Sequence, residues 1–208
     1  LIAVAPSFTG SFSAENLNGA DVTVVGKGAF SHNRKITSVN LPNVTAVGEY
    51  GFGSSDRLAS VTLGELTQIG PYGFFETAIT QLPNITTSTV IGDYAFSHSG
   101  LTSVTIGNSV TSIGNYVFYE CSGLTSVTSL ATTAPALGSS VFSYISSDAT
   151  LYYPAGSDYS SWAQYFAKME EIVGDLNDDG SCDVSDLSLC ARVQGLLSNI
   201  NYATRIAS

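Results

Sequence analysis

A repeat solenoid, built mainly of stacked parallel β-strands with short helical turns, is the fold this sequence predicts, and three observations predict it. A six-residue motif recurs as VGKGAF from Val25, VGEYGF from Val47, IGPYGF from Ile69, IGDYAF from Ile91, IGNYVF from Ile113 and LGSSVF from Leu137. Its glycines, Gly26, Gly48, Gly70, Gly92 and Gly114, keep a fixed interval of 22 residues, and the step to Gly138 is 24. Between the copies lies an alternating stretch: ITSVNL from Ile36, LASVTL from Leu58, ITQLPN from Ile79, LTSVTI from Leu101 and LTSVTS from Leu124.

The alternating stretch is apolar at its first and fourth positions and usually at its sixth, with β-branched residues between. That pattern predicts parallel strands starting near residues 36, 58, 79, 101 and 124. In the six-residue motif, Val/Ile-Gly closes a turn and Tyr-x-Phe begins a helical turn. The Gly permits a backbone conformation or a close approach that a side chain would block. One such unit cannot bury its apolar face alone, but stacked copies can. With strands about 4.8 Å apart, Phe30, Phe52, Phe74, Phe96, Phe118 and Phe142 become rungs of one continuous core.

The composition suits this fold. The chain has 208 residues, 44% of them hydrophobic and 12% charged, enough to bury a sizeable core. No run of about 18 apolar residues exists to span a membrane. A net charge of -10 leaves no basic stripe for nucleic acid or an anionic membrane. The chain begins at Leu1, which suggests a processed or trimmed product. Acids concentrate late: 7 of the 17 lie between Glu170 and Asp186, which places a domain boundary near Val173.

The combined unit LTSVTIGNSVTSIGNYVFYECSG, Leu101 to Gly123, resembles the BspA-like leucine-rich repeats found on exported and surface proteins of bacteria. The resemblance covers roughly residues 14 to 148 and implies a leucine-rich-repeat solenoid. The Pro of the family pattern stands only at Pro42, with Pro83 close by, and its Cys only at Cys121. ATLYYPAGSDYSSWAQYFAKMEEI, from Ala149, looks like the cap of such arrays, with a capping helix presenting Trp162, Phe166 and Met169 on one face. The expected domains are repeats at 1–148, about six coils with the first degenerate, a cap at 149–173 and a tail at 174–208.

The tail holds DLNDDGSCDVSD, Asp175 to Asp186, with the oxygen spacing of an EF-hand-like calcium loop followed by a helix. Calcium takes six to eight hard oxygens. Asp175, Asn177, Asp179, Asp183 and Asp186 supply side chains, the Ser181 carbonyl adds another ligand, and Gly180 allows the sharp turn. Asp at the twelfth position is similar to type I dockerins, so a half-dockerin-like segment is expected. That resemblance implies that Val184 and Ser185 are the residues at stake in a cohesin contact. Cys182 and Cys190 are either two buried thiols or a disulfide, and Cys121 is expected to be a buried repeat residue.

No nucleophile-base pair or paired carboxylates suggest catalysis, so the chain is expected not to be an enzyme. His32 and His98 fall three repeats apart, about 14 Å by strand spacing, too far for a shared metal. Two outward ladders remain. One is a Ser/Thr strip, Ser38, Ser60, Gln81, Ser103 and Ser126 flanked by Asn40, Thr62, Thr105 and Thr128, which is either a binding face or the solvated side of a sheet. The other, Tyr50, Tyr72, Tyr94 and Tyr116, either contacts a ligand or packs on itself. The expected function is a secreted or cell-surface bacterial recognition protein that binds a protein or glycan partner, with a calcium-stabilised tail. The alternative is a subunit attached through its tail to a cohesin-bearing scaffold, as in a cellulosome-like assembly.

Overall fold

The computed structural model describes residues 9–13, 21–81 and 90–172. In chain order the strands are β1 (Gly10–Ser13), β2 (Val24–Val25), β3 (Ile36–Leu41), β4 (Ala46–Val47), β5 (Ser60–Leu63), β6 (Gln68–Ile69), β7 (Val90–Ile91), β8 (Ser103–Ile106), β9 (Ser112–Ile113), β10 (Ser126–Ser129), β11 (Ala136–Leu137), β12 (Thr150–Pro154) and β13 (Lys168–Ile172). Every pairing is parallel, and partners sit one repeat apart: Ser38 opposite Ser60, Val47 opposite Ile69, Ile91 opposite Ile113, Val104 opposite Val127. The described residues therefore form a parallel-strand β-solenoid with almost no helix.

The alternating stretches build its longer strands. In β3, Ile36, Val39 and Leu41 point inward and Asn40 outward, the period-two pattern of a half-buried strand. The Val/Ile-Gly motifs build a second face, a six-stranded sheet of two-residue strands in the order β11-β9-β7-β6-β4-β2. Between the faces runs the column of Phe30, Phe52, Phe74, Phe96, Phe118 and Phe142. All are fully buried, with successive ring centroids 4.9, 5.0, 5.2, 5.7 and 5.2 Å apart and stacked. The strand spacing sets that separation.

The expected strand at ITQLPN, from Ile79, lies largely outside the described residues. Its counterparts, Ser60–Leu63 and Ser103–Ile106, correspond to residues 81–84, of which Gln81 alone is described. Among the described residues the long strands therefore form two sheets, β1-β3-β5 and β13-β12-β10-β8. The coils on either side stay joined, because Gly100 donates to the Thr77 carbonyl at 3.0 Å and Thr102 to that of Thr80 at 3.1 Å.

The ends of the array differ from expectation. An unforeseen strand, β1, lies beside β3, and Phe12 meets Phe30 edge-on at 5.0 Å, so the core begins before the first recognisable repeat. At the other end, residues 149–172 form no capping α-helix. Strands β12 and β13 extend the sheet, with a single 3-10 turn, Ser160–Tyr165, between them. Phe166 is extended and Met169 lies in β13, so Trp162, Phe166 and Met169 share no helical face. Trp162 and Phe166 nonetheless meet the last ring of the column, Phe142, at 5.3 and 5.1 Å. The polar tips are satisfied: Trp162 Nε1 donates to the Pro135 carbonyl at 3.1 Å and the Tyr159 hydroxyl to that of Ala131 at 2.7 Å.

The glycine of each repeat is there for space. At Gly70 and Gly92 an added Cβ would lie 2.6 Å from the backbone nitrogen of Glu49 or Pro71 in the preceding coil. Of the two roles a glycine could play, close approach is the one realised. Phe96→Ala should destabilise the solenoid by about 3–5 kcal/mol, as aromatic truncations in cores do. Gly92→Ala should also destabilise it, whereas Gly123→Ala, whose Cβ would meet nothing nearer than 3.5 Å, should not. Urea unfolding followed by Trp162 fluorescence checks all three, and equal midpoints for the two glycine variants would refute the close-approach account.

Cys121 is the buried repeat residue expected. Its thiol donates to the Phe96 carbonyl at 3.1 Å, in the place where Ser55 bonds the Phe30 carbonyl at 2.6 Å. Burial pushes its pKa from 9.0 to about 11, outweighing the lowering effect of Ser99. The folded state thus holds this proton more tightly than the unfolded chain. That contribution to stability is intact below 9 and is lost as pH climbs through about 11. Peptide mapping after iodoacetamide treatment near pH 8 should find Cys121 unmodified until denaturant is added.

Candidate functional site: an aromatic surface on the turn

The predicted helical turn after each glycine is not a helix. Tyr50, Tyr72, Tyr94 and Tyr116 hold left-handed backbone, with φ of 53, 57, 58 and 57°, and the fourth residue beyond each, Ser54, Glu76, His98 and Glu120, does too. Alternate N–H groups face different partners. Tyr72, Phe74 and Glu76 donate to the carbonyls of Asp93, Ala95 and Ser97 in the next coil, while Gly73 and Phe75 donate three residues back within their own. The alternation satisfies the backbone with neither helix nor strand.

Left-handed backbone costs a bulky L-residue roughly 1–2 kcal/mol. The first copy of the turn shows the cheaper solution, since Gly28 occupies the position of the tyrosines at φ 65°. Four later copies keep a tyrosine regardless. Their rings lie nearly parallel, with centroids 4.5, 4.9 and 4.7 Å apart from Tyr50 through Tyr116. Stacking of this kind contributes about 0.5–1.5 kcal/mol per pair, comparable to the strain. The rings remain half-exposed, so the ladder both packs on itself and presents an outer edge.

Phe75, Tyr119 and Tyr144 enlarge this surface, and sequence reasoning missed them because they do not recur every 22 residues. Edge-to-face contacts link Tyr72 to Phe75, Phe75 to His98, His98 to Tyr119 and Tyr119 to Tyr144, at 5.3–5.8 Å. Tyr144 is 69% exposed. The ladder ends at Ser140, which holds the tyrosine position at φ 52° without a ring. Beside it opens a groove of about 650 Å³ whose lining includes Tyr116, Tyr119, Tyr144, Gln164 and Tyr165. Another groove, of about 380 Å³, is instead charged, with Arg34, Asp56, Glu76 and His98.

The Ser/Thr strip points outward as expected: Ser60, Thr62, Gln81, Ser103 and Thr105 are exposed and Ser38, Ser126 and Thr128 partly so. His32 and His98 are both exposed, and His98 pairs with Glu120 at 3.2 Å. Among the described residues no cluster of three or more His, Cys, Asp or Glu could hold a metal. The calcium set Asp175, Asn177, Asp179, Ser181, Asp183 and Asp186, the cohesin-contact pair Val184 and Ser185, and Cys182 with Cys190 lie outside the described residues.

Six copies of the BspA type leucine rich repeat region match the chain, over residues 23–149 and 89–167. The chain belongs to the BspA-type leucine-rich repeat family. Proteins of this type are typically bacterial surface proteins, and the family suggests a protein-interaction role on a binding scaffold. In fold the chain is similar to a leucine-rich repeat protein of T. pallidum, with a TM-score of 0.52 and 23% identity over 71% of this chain and 78% of that one. A leucine-rich repeat protein of Bacteroides ovatus aligns at 16% identity over 73% of this chain and 64% of its own, with a TM-score of 0.29. None of the curated proteins matches the chain. Among the described residues no helix is long and apolar enough to cross a membrane.

Three of the phenols hold their protons more tightly than a free tyrosine does. Burial first, then the neighbouring phenols and Asp93, raise Tyr72 and Tyr94 above the ordinary 10.0, while burial followed by Glu120 raises Tyr119. A raised pKa means that the folded state keeps the proton, so this contribution is intact below 10 and falls as pH rises beyond it. Spectrophotometric titration should show these phenols ionising late, and Tyr72→Phe should blunt the loss of stability above pH 10.

Proposed function

We propose that the chain is a non-enzymatic recognition protein, secreted or held at the bacterial cell surface, that binds a protein or glycan partner through the tyrosine face of its repeats. The observation that carries this reading is the cost of that face. Tyr50, Tyr72, Tyr94 and Tyr116 occupy left-handed backbone that glycine fills at Gly28, and their rings stay half-exposed. Aromatic anchors carry more binding energy than small hydroxyls, which favours this ladder over the Ser/Thr strip. Screening on glycan and host-matrix protein arrays should yield a partner whose capture weakens about tenfold or more when Tyr72 and Tyr94 are both replaced by Ala. Unchanged capture by a folded double variant would sink the reading.

The tail is read as a calcium-dependent unit. Asp175, Asn177, Asp179, Asp183 and Asp186 with the Ser181 carbonyl supply the hard oxygens calcium prefers, and the five acids from Asp175 to Asp186 repel one another without a cation. Amide exchange after chelation should then lose protection in residues 174–200 and keep it from 36 to 81 and from 90 to 148. Equal loss in both regions, or a tail protected without metal, would count against an independent site. Because the loop resembles a half-dockerin, Val184 and Ser185 are where a cohesin would touch, and cohesin pull-down sensitive to those two residues would favour attachment to a scaffold.

A further inference from the structure

We propose that the groove at the end of the tyrosine ladder binds a neutral oligosaccharide, with a pyranose ring lying on Tyr116 where the next tyrosine of the series is missing. This rests on the recognition reading and gives it a site and a ligand class. The ladder places a ring every 4.5–4.9 Å from Tyr50 to Tyr116. At the next step the same left-handed turn carries Ser140, and among the described residues no ring stacks on the open side of Tyr116. Both residues line the groove, so the place of the absent ring is part of its floor.

The chemistry of the walls selects the ligand. Among the described residues lining the groove none is charged, in a chain whose net charge is -10. Ring faces, phenol and serine hydroxyls and the Gln164 amide fit a molecule that is apolar on its C–H face and hydroxylated at its rim, which describes a neutral sugar. An anionic polymer would find no cation, and a lipid would leave the hydroxyls unpaired. The volume, about 650 Å³, falls within the range of roughly 300–1,000 Å³ usual for small-molecule sites.

Tyr144 supports the same conclusion independently. It sits at φ 61° with 69% of its surface exposed, so neither backbone preference nor core packing accounts for it. The equivalent positions in earlier coils are His32, Ser54, Glu76, His98 and Glu120, all polar or charged. Only the copy beside the groove carries a phenol, and it leans edge-on against Tyr119 at 5.3 Å.

Isothermal titration of the full chain with cellohexaose, xylohexaose, mannohexaose and maltohexaose, with hexagalacturonate as the charged comparison, tests the proposal. At least one neutral hexaose should bind saturably with a Kd below about 1 mM, and hexagalacturonate should bind at least about tenfold more weakly. Tyr144→Gly should weaken binding about tenfold or more while leaving the melting temperature within a few degrees, because relief of strain offsets the lost contact. Ser140→Tyr should complete the ladder, raise the melting temperature and abolish binding. No saturable binding by any neutral hexaose up to about 10 mM, equal binding of hexagalacturonate, or full binding by Ser140→Tyr overturns the proposal. Array capture that depends on Tyr72 and Tyr94 would survive that failure, which separates it from failure of the recognition reading.

Discussion

Hydrogen bonds between equivalent turns hold successive coils in register, and the remaining features of the solenoid follow from them. Tyr94, Phe96 and His98 donate to the carbonyls of Asn115, Val117 and Tyr119, and the same three-bond clasp joins each turn to the next, from Gly28 through Glu120. Such a ladder forms only if alternate N–H groups point along the stacking axis, and the left-handed residue at each end of the Tyr-x-Phe-x-x segment provides that direction. Eleven described non-glycine residues accept this conformation, at about 1 kcal/mol or more each, so the clasp and the ring columns must offset a considerable strain.

The close spacing of the clasp also explains the glycines and the polar residues that flank each turn. Coils that approach this tightly leave no room for a Cβ at Gly48, Gly70, Gly92, Gly114 or Gly138, each of which faces atoms of the preceding coil at 2.6–2.8 Å from the position a Cβ would take. Side chains one repeat apart are brought into hydrogen-bonding range. Asp93 accepts from the Asn115 backbone and side chain at 2.8 and 3.1 Å, and Asn115 in turn accepts from Ser139 at 2.8 Å. Lys27 with Glu49 and Arg34 with Asp56 pair across the same interval, exposed and therefore worth little individually.

The turn and the short-strand sheet run without a break through the coil at Ile79: Phe74 and Phe96 stack at 5.2 Å and β6 pairs with β7. Exposed side chains of the turn change from coil to coil while the clasp is kept. The second left-handed column runs through His32, Ser54, Glu76, His98, Glu120 and Tyr144, while the stack beside it stays constant from Tyr50 to Tyr116.

The sequence by itself determined the period, the parallel stacking, the phenylalanine column and the outward face of the Ser/Thr strip, because each depends on a residue type recurring every 22 positions. It also marked Cys121 as a core position. Tertiary structure decided what has no periodic signature. The left-handed tyrosines cannot be read from a Tyr-x-Phe pattern that also suits a helical turn, since the choice is made by bonds to the next coil. The end segment from 149 to 172 carries apolar residues at helical spacing, but β10 offers it an open parallel edge, and pairing to that edge overrides local periodicity. Phe75 and Tyr119 recur only in alternate coils, 44 residues apart, and Tyr144 and the gap at Ser140 break the period, so only their contacts in the folded chain make them a surface.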